Sequence, residues 1–254
     1  MAKTKKIGSK FLKGQEIDNM ENVSAYKKQK RKPQNTLGEI HLKEIHPLTE
    51  NQRKVFDAYD EGKNIICSGF PGCGKTFLAM YLALDDILFG EGGYENIVII
   101  RSLVKSREIG HLPGSAEEKA SVFEAPYKGI CNELCRRGDA YEILKKKDII
   151  RFESTSFLRG ITYSNCIVIV DEYENMNFAE IDTICGRIGS NCKLLFCGDL
   201  HQSDLVNTRE KSGFEDFMDI ASRMNSFEII DFQIPDVVRS GFVYEYLMAK
   251  YGIN

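Results

Sequence analysis

The sequence predicts an α/β domain built on a mostly parallel sheet with helices on both faces. Three observations predict it. Short apolar runs rich in β-branched residues recur along the chain, helical patterns separate most of them, and a glycine-rich turn joins the first run to the first long helix. Runs apolar on both faces suit strands buried from both sides. The 254 residues, 43% of them hydrophobic, can build one sizeable core or a core with a small appendage.

The elements follow in order. Residues 1–45 carry eleven Lys/Arg against five Asp/Glu, which leaves residues 46–254 at −9 within a chain of net charge −3. Their scattered apolar residues hold neither a helical nor a strand period, so 1–45 is expected to be a basic, flexible tail and 46–254 the folded domain. The cluster "KKQKRKP" suits a solvated arm, phosphate screening or a nuclear address. Strand-like runs come next: "NIICSGF" (64–70), "NIVIIRS" (96–102), "DIIRFES" (148–154), "CIVIVDE" (166–172), "KLLFCGD" (193–199) and "FEIIDF" (227–232). A helix is expected from about Lys75 to Gly90, through "TFLAMYLALDDILF". No apolar stretch approaches the roughly 18 residues of a membrane span, and the N-terminus lacks the apolar centre of a secretory leader. The expectation is a soluble cytoplasmic protein with no membrane partner, its eight cysteines reduced and mostly filling core positions. Cys131 and Cys135 share a helical face, but no second pair or histidine completes a zinc set.

Between the first run and the first long helix lies "GFPGCGKT", residues 69–76: glycine, four residues, then Gly-Lys-Thr. This is the spacing of a phosphate-binding loop, and each residue type has a physical reason. Glycines let successive backbone N–H groups curl around an anion where side chains would clash. The helix N-terminus adds partial positive charge. Lys75 is a flexible cation for the β- and γ-phosphates, and the Thr76 hydroxyl is a hard oxygen ligand for Mg2+. The expected nucleotide-binding set is Gly69, Pro71, Gly72, Cys73, Gly74, Lys75, Thr76 and Phe77.

Asp171 and Glu172 end the fourth run. An aspartate there can hold Mg2+, and the adjacent glutamate can orient a water and receive its proton, so hydrolysis is the chemistry they suggest. The fifth run ends in Gly198 and Asp199, with Gln202 three residues on. These polar groups suit either contact with a terminal phosphate or turn chemistry after a strand. His201, a lone histidine, is set aside.

In the order "HPLTENQ", "GFPGCGKTFLA", "RSLVKSREIGHLPGS", "SFLRGITYSNCIVIVDEYENM", "GRIGSNCKLLFCGD" and "VVRSGFVYEYL", the chain resembles the PhoH family, particularly its phage-encoded members, over residues 46–251. The resemblance implies a single RecA-like P-loop ATPase module, related to the motor domain of superfamily 1 helicases. It also implies ATP and Mg2+ as cofactors, association with single-stranded RNA or DNA, and a homo-oligomer, with a hexameric ring among the expected forms. A phage-encoded chain would work in the host cytoplasm. Residue by residue, Gln52 matches the glutamine that reads the adenine edge, although Thr49 and Gln52 also spell a capping box at a helix start. The stretch Arg101–Arg107 falls where similar helicases touch single-stranded backbone, and a solvated rim explains it as well. Arg159, Arg187 and Arg239 are candidates for the finger that neutralises transition-state charge, with Arg239 grouped with Lys75, Glu172 and Gln202 as catalytic.

Two departures bear on these expectations. Ile161 stands where many relatives carry an arginine, which weakens any assignment of the finger to that loop. Only one RecA-like unit is present and no nuclease module, so translocation would require copies of the chain to assemble. A small-molecule P-loop kinase and a non-catalytic nucleotide-binding module are the rival classes. The "GD..Q" element disfavours the first and the presence of Glu172 the second.

Overall fold

The computed structural model describes residues 40–90, 92–102, 116–158, 160, 162–199 and 213–252. Their order is α1 (Glu50–Asp60), β1 (Asn64–Gly69), α2 (Lys75–Phe89), β2 (Asn96–Arg101), α3 (Ala116–Leu134), α4 (Ala140–Lys146), β3 (Ile150–Ser154), β4 (Cys166–Asp171), α5 (Phe178–Cys185), β5 (Cys192–Cys197), α6 (Phe214–Ala221), β6 (Phe227–Phe232) and α7 (Gly241–Lys250). The strands form one sheet in the order β3-β2-β4-β5-β1-β6, and every pairing is parallel. This is the predicted α/β architecture of a parallel sheet with helices on both faces, with one strand, β5, inserted between the strand that feeds the glycine turn and the strand that ends in the acid pair.

Alternation along each strand explains the two layers. Ile65, Ile97, Ile99, Ile167 and Ile169 pack in one core with Val55 and Phe56 of α1, Leu78 and Leu82 of α2, Tyr127 of α3 and Leu144 of α4. Their sequence neighbours Ile66, Val98, Ile100, Val168 and Val170 pack in the other, against Ile181 and Ile184 of α5 and Phe217 of α6. A parallel sheet must be covered on both faces, and the near-continuous apolar runs supply both.

The packed chain starts earlier than the expected domain boundary at residue 46. Ile40 is buried in the first core, Leu42 and Ile45 pack against it, and the Lys43 N–H donates to the Leu134 carbonyl at 2.7 Å. Residues 40–45 therefore lie on the domain and not in the tail. Among the eight cysteines, Cys67, Cys73, Cys131, Cys135, Cys166 and Cys197 are buried as free thiols. No helix among the described residues is long and apolar enough to cross a membrane.

The register aligns the strand ends that matter. Arg101 lies opposite Asp171, Asp171 opposite Cys197, and Cys67 opposite Cys197. The carboxyl ends of β2, β4, β5 and β1 thus open on one side of the sheet, which is where open α/β sheets take their ligands.

Candidate nucleotide-binding site

The glycine turn leaves β1 in a conformation that only glycine tolerates. Gly69 has φ +114°, and a Cβ there would meet the Phe232 carbonyl oxygen at 2.1 Å, because β6 runs alongside. Gly74, at φ +80°, is the N-cap of α2 and offers no side-chain cap; the helix's first turn contains no acidic residue. The orphan N–H groups of that turn are therefore available to an anion, reinforced by the helix dipole. Cys73, by contrast, turns its thiol inward, where burial pushes it up to about 12, so it offers the site only its backbone.

Lys75 is buried at the base of the turn. Its Nζ donates to the carbonyls of Gly69 at 2.9 Å and Phe70 at 2.7 Å, folding the cation back over the loop. Next to it, Thr76 Oγ1 donates to Asp171 Oδ1 at 2.8 Å, and the Tyr127 hydroxyl of α3 donates to Oδ2 at 2.8 Å. Burial pushes the Asp171 carboxyl up, opposed by those two hydrogen bonds and by the charge of Arg101. Burial also holds the Tyr127 phenol far above its ordinary value, with Asp171 adding to it, so Tyr127 stays a donor. Glu172 leaves the strand in the left-handed region, φ +50°, and forms an ion pair with Arg101.

Lys75, Thr76, Arg101, Asp171 and Glu172 line a cleft of about 560 Å3, within the size of ligand-binding cavities. Its lining joins the charged and polar groups of Lys75, Thr76, Arg101, Asp171, Glu172, Glu174 and Asp199 to the apolar side chains of Ile45, Leu48, Phe77 and Val238, with Gln52 and His46 among them. The buried Gln52 carboxamide donates to the Cys73 carbonyl at 3.0 Å and accepts from the Leu48 N–H at 2.8 Å. The expected capping box is half present. Thr49 Oγ1 accepts the Gln52 N–H at 3.3 Å, but the carboxamide returns to Leu48 and ties α1 to the phosphate loop.

Of the other anticipated residues, Pro71, Gly72, Gly74 and Arg239 also line the cleft. Arg239 crosses the turn from the segment after β6: its Cγ lies 2.9 Å from where a Cβ on Gly72 would be, and the Val238 N–H donates to the Gly72 carbonyl at 3.1 Å. Arg187 does not reach the cleft. Its backbone carbonyl binds the Tyr163 N–H at 2.8 Å, among the bridges that join α5 to the stretch before β4. Arg159, Ile161, His201, Gln202 and the segment 103–115, with "KSR" and "IGHLPGS", lie outside the described residues.

Three residues around the acid pair, Arg101 and Glu174 in the cleft and Tyr127 behind Asp171, were not singled out beforehand for what they do there. Arg101, expected to face nucleic acid or solvent, instead turns its guanidinium to Glu172, hydrogen-bonds Tyr127 and lies over the Phe123 ring at 5.7 Å. Tyr127 had no sequence signal. Glu174, 4% exposed, receives N–H bonds from its own backbone and from Asp199, and burial raises its carboxyl to about 8. Its only signal was a second acid two residues past the pair.

A parallel sheet, a glycine nest on an uncapped helix and a Lys-Thr-Asp cluster in one cleft define a P-loop nucleotide-binding domain. The comparison with known families is equally specific. A family model described as "PhoH-like protein" matches residues 44–250, and the chain belongs to the PhoH family. It is 29% identical over 206 residues to a PhoH-like protein of Synechocystis sp., covering 81% of this chain and 62% of that protein. With a PhoH-like protein of Mycobacterium leprae the identity is 28% over 213 residues, covering 82% and 58%. The chain thus spans about three fifths of the length of these curated relatives. Among solved structures, the large terminase of a thermophilic bacteriophage, in complex with ADP, aligns with a TM-score of 0.43 at 12% identity, over 79% of this chain and 49% of that one.

Proposed function

We propose that this domain binds ATP with Mg2+ and hydrolyses it. The observation that carries the reading is the convergence of Lys75, Thr76, Asp171 and Glu172 on one cleft whose lining also presents Gln52 and apolar side chains. Phosphoryl transfer asks a protein for positioning and charge, not for covalent chemistry. Here the uncapped N-terminus of α2 and Lys75 take the β- and γ-phosphates, and the apolar side chains with Gln52 take the adenine. Glu172 orients the attacking water and receives its proton, while Arg239, lying over the loop, adds positive charge near the phosphates.

Thr76 and Asp171 fit Mg2+. Both are hard oxygen donors, they already touch, and a carboxylate only 6% exposed calls for a nearby cation. When bound, the ion would neutralise charge on the phosphate oxygens. Gln202 and Arg159 remain proposed contributors to phosphate contact and finger chemistry. The wider proposal, that turnover is coupled to single-stranded RNA or DNA within a homo-oligomer, rests on the family resemblance and on the single nucleotide-binding unit of residues 46–254.

The test is phosphate release from ATP by the wild type and Glu172→Gln, with and without single-stranded RNA. Turnover should need Mg2+, rise with RNA, and fall by about 10²- to 10⁴-fold in the variant, the usual worth of a general base. Transfer to a metabolite instead of water, or ATP binding with no turnover, would overturn the reading.

A further inference from the structure

Lys75 and Arg101, two of the cations that line the cleft, each have a protein partner in place. Lys75 is held by two neutral carbonyls. Arg101 is held by Glu172, the carboxylate that has to orient the attacking water. While the guanidinium holds Oε2 of that carboxylate, that oxygen is engaged by the protein and not by the attacking water.

The two members of the pair differ in their freedom. Arg101 is fixed from several sides: its side chain is 16% exposed, it hydrogen-bonds Tyr127, it lies over the Phe123 ring, and strand register sets it opposite Asp171. Glu172 is 41% exposed at the side chain and sits on a left-handed backbone, φ +50° and ψ +43°. A non-glycine residue there is strained and keeps that conformation only while its surroundings hold it. When the pair parts, the carboxylate is therefore the member that swings.

A guanidinium fork matches phosphate oxygens as well as it matches a carboxylate, and a triphosphate end carries more charge than one glutamate. We infer that Arg101 is a ligand of the terminal phosphate supplied by the same chain, and that Glu172 holds its place until ATP arrives. Entry of the terminal phosphate displaces Glu172 from the fork, so the substrate itself frees the base. The inference rests on the ATP reading above and names a cation for it that comes from β2, not from the glycine turn or the segment that carries Arg239.

Calorimetric titration of the full chain with Mg-ADP and with a non-hydrolysable Mg-ATP analogue tests it, for wild type, Glu172→Gln, Arg101→Gln, Arg101→Lys and the double variant Arg101→Gln/Glu172→Gln. Mg-ADP affinity, measured for each variant, is the reference against which the third phosphate is scored, and retained ADP binding reports an intact fold. The preference for the third phosphate should rise about three- to tenfold in Glu172→Gln, because the competitor for the fork is gone. It should fall in Arg101→Gln, recover in part in Arg101→Lys, and be unaffected by Glu172→Gln once Arg101 is absent. An equal gain from Glu172→Gln with or without Arg101 would mean simple relief of repulsion and would overturn the inference. So would a preference indifferent to Arg101. A wild type that binds neither nucleotide brings down the ATP reading and this inference together; binding of both with a preference blind to Arg101 brings down this inference alone.

Discussion

Glu174 shows most openly how burial and ionisation conflict in this cleft. Its carboxyl is raised from the ordinary 4.5 to about 8 by burial, with the charges of Glu172 and Asp171 adding to the effect. The folded protein thus keeps a proton that the unfolded chain releases above 4.5, and stability must fall as pH rises from there to about 8. Glu174→Gln keeps the shape and removes the titration. In denaturant unfolding across pH, the variant should be more stable than wild type by on the order of 1–3 kcal/mol at pH 8 and about equal at pH 4. Parallel profiles for the two proteins would contradict this. At this scale, what the sequence disclosed was what lies close together along the chain. Lys75 and Thr76, or Asp171 and Glu172, are legible because their spacing is itself the signal. Arg101 and Glu172 are 71 residues apart and Tyr127 and Asp171 are 44 apart, so their pairing arises only from strand register and helix packing.

The elements themselves were largely readable from apolar runs, and the differences have local causes. The run expected from Asp148 becomes strand only at Ile150, because Asp148 takes φ +59° in the turn after α4. The run ending at Glu172 stops at Asp171, where the left-handed step begins. The order of the strands was not readable, since alternation with helices implies parallel pairing without saying which strand β5 separates. That insertion brings Gly198 and Asp199 between the glycine turn and the acid pair. One wall of the cleft belongs to α3, through Pro126, Ile130 and Glu133, and Tyr127 bolts that helix to β4. Tyr127→Phe keeps the ring in place while leaving Asp171 Oδ2 short of one donor. It should lower stability by about 1–3 kcal/mol, seen as a lower urea midpoint with an unchanged slope. An unchanged midpoint would show that the hydroxyl is dispensable and that α3 is held by apolar packing alone.

For the molecule as a whole, the described residues place the cleft at the carboxyl ends of a sheet covered by two apolar layers, and that makes the proposed nucleotide site the centre of the account, on which everything proposed about RNA or assembly depends. The basic residues that precede the packed chain and the segment between Arg101 and α3 carry much of the charge that nucleic acid would meet, but neither matters unless the cleft holds a triphosphate. The most direct measurement is equilibrium binding of ATP to the full chain with and without Mg2+, for wild type, Lys75→Ala and Asp171→Asn. The account predicts that the wild type binds with Mg2+-strengthened affinity, that Lys75→Ala weakens binding about 10- to 100-fold in either condition, as loss of a charged hydrogen bond should, and that Asp171→Asn abolishes the gain from Mg2+. Wild-type binding that survives Lys75→Ala unchanged, or no binding at all, would contradict it.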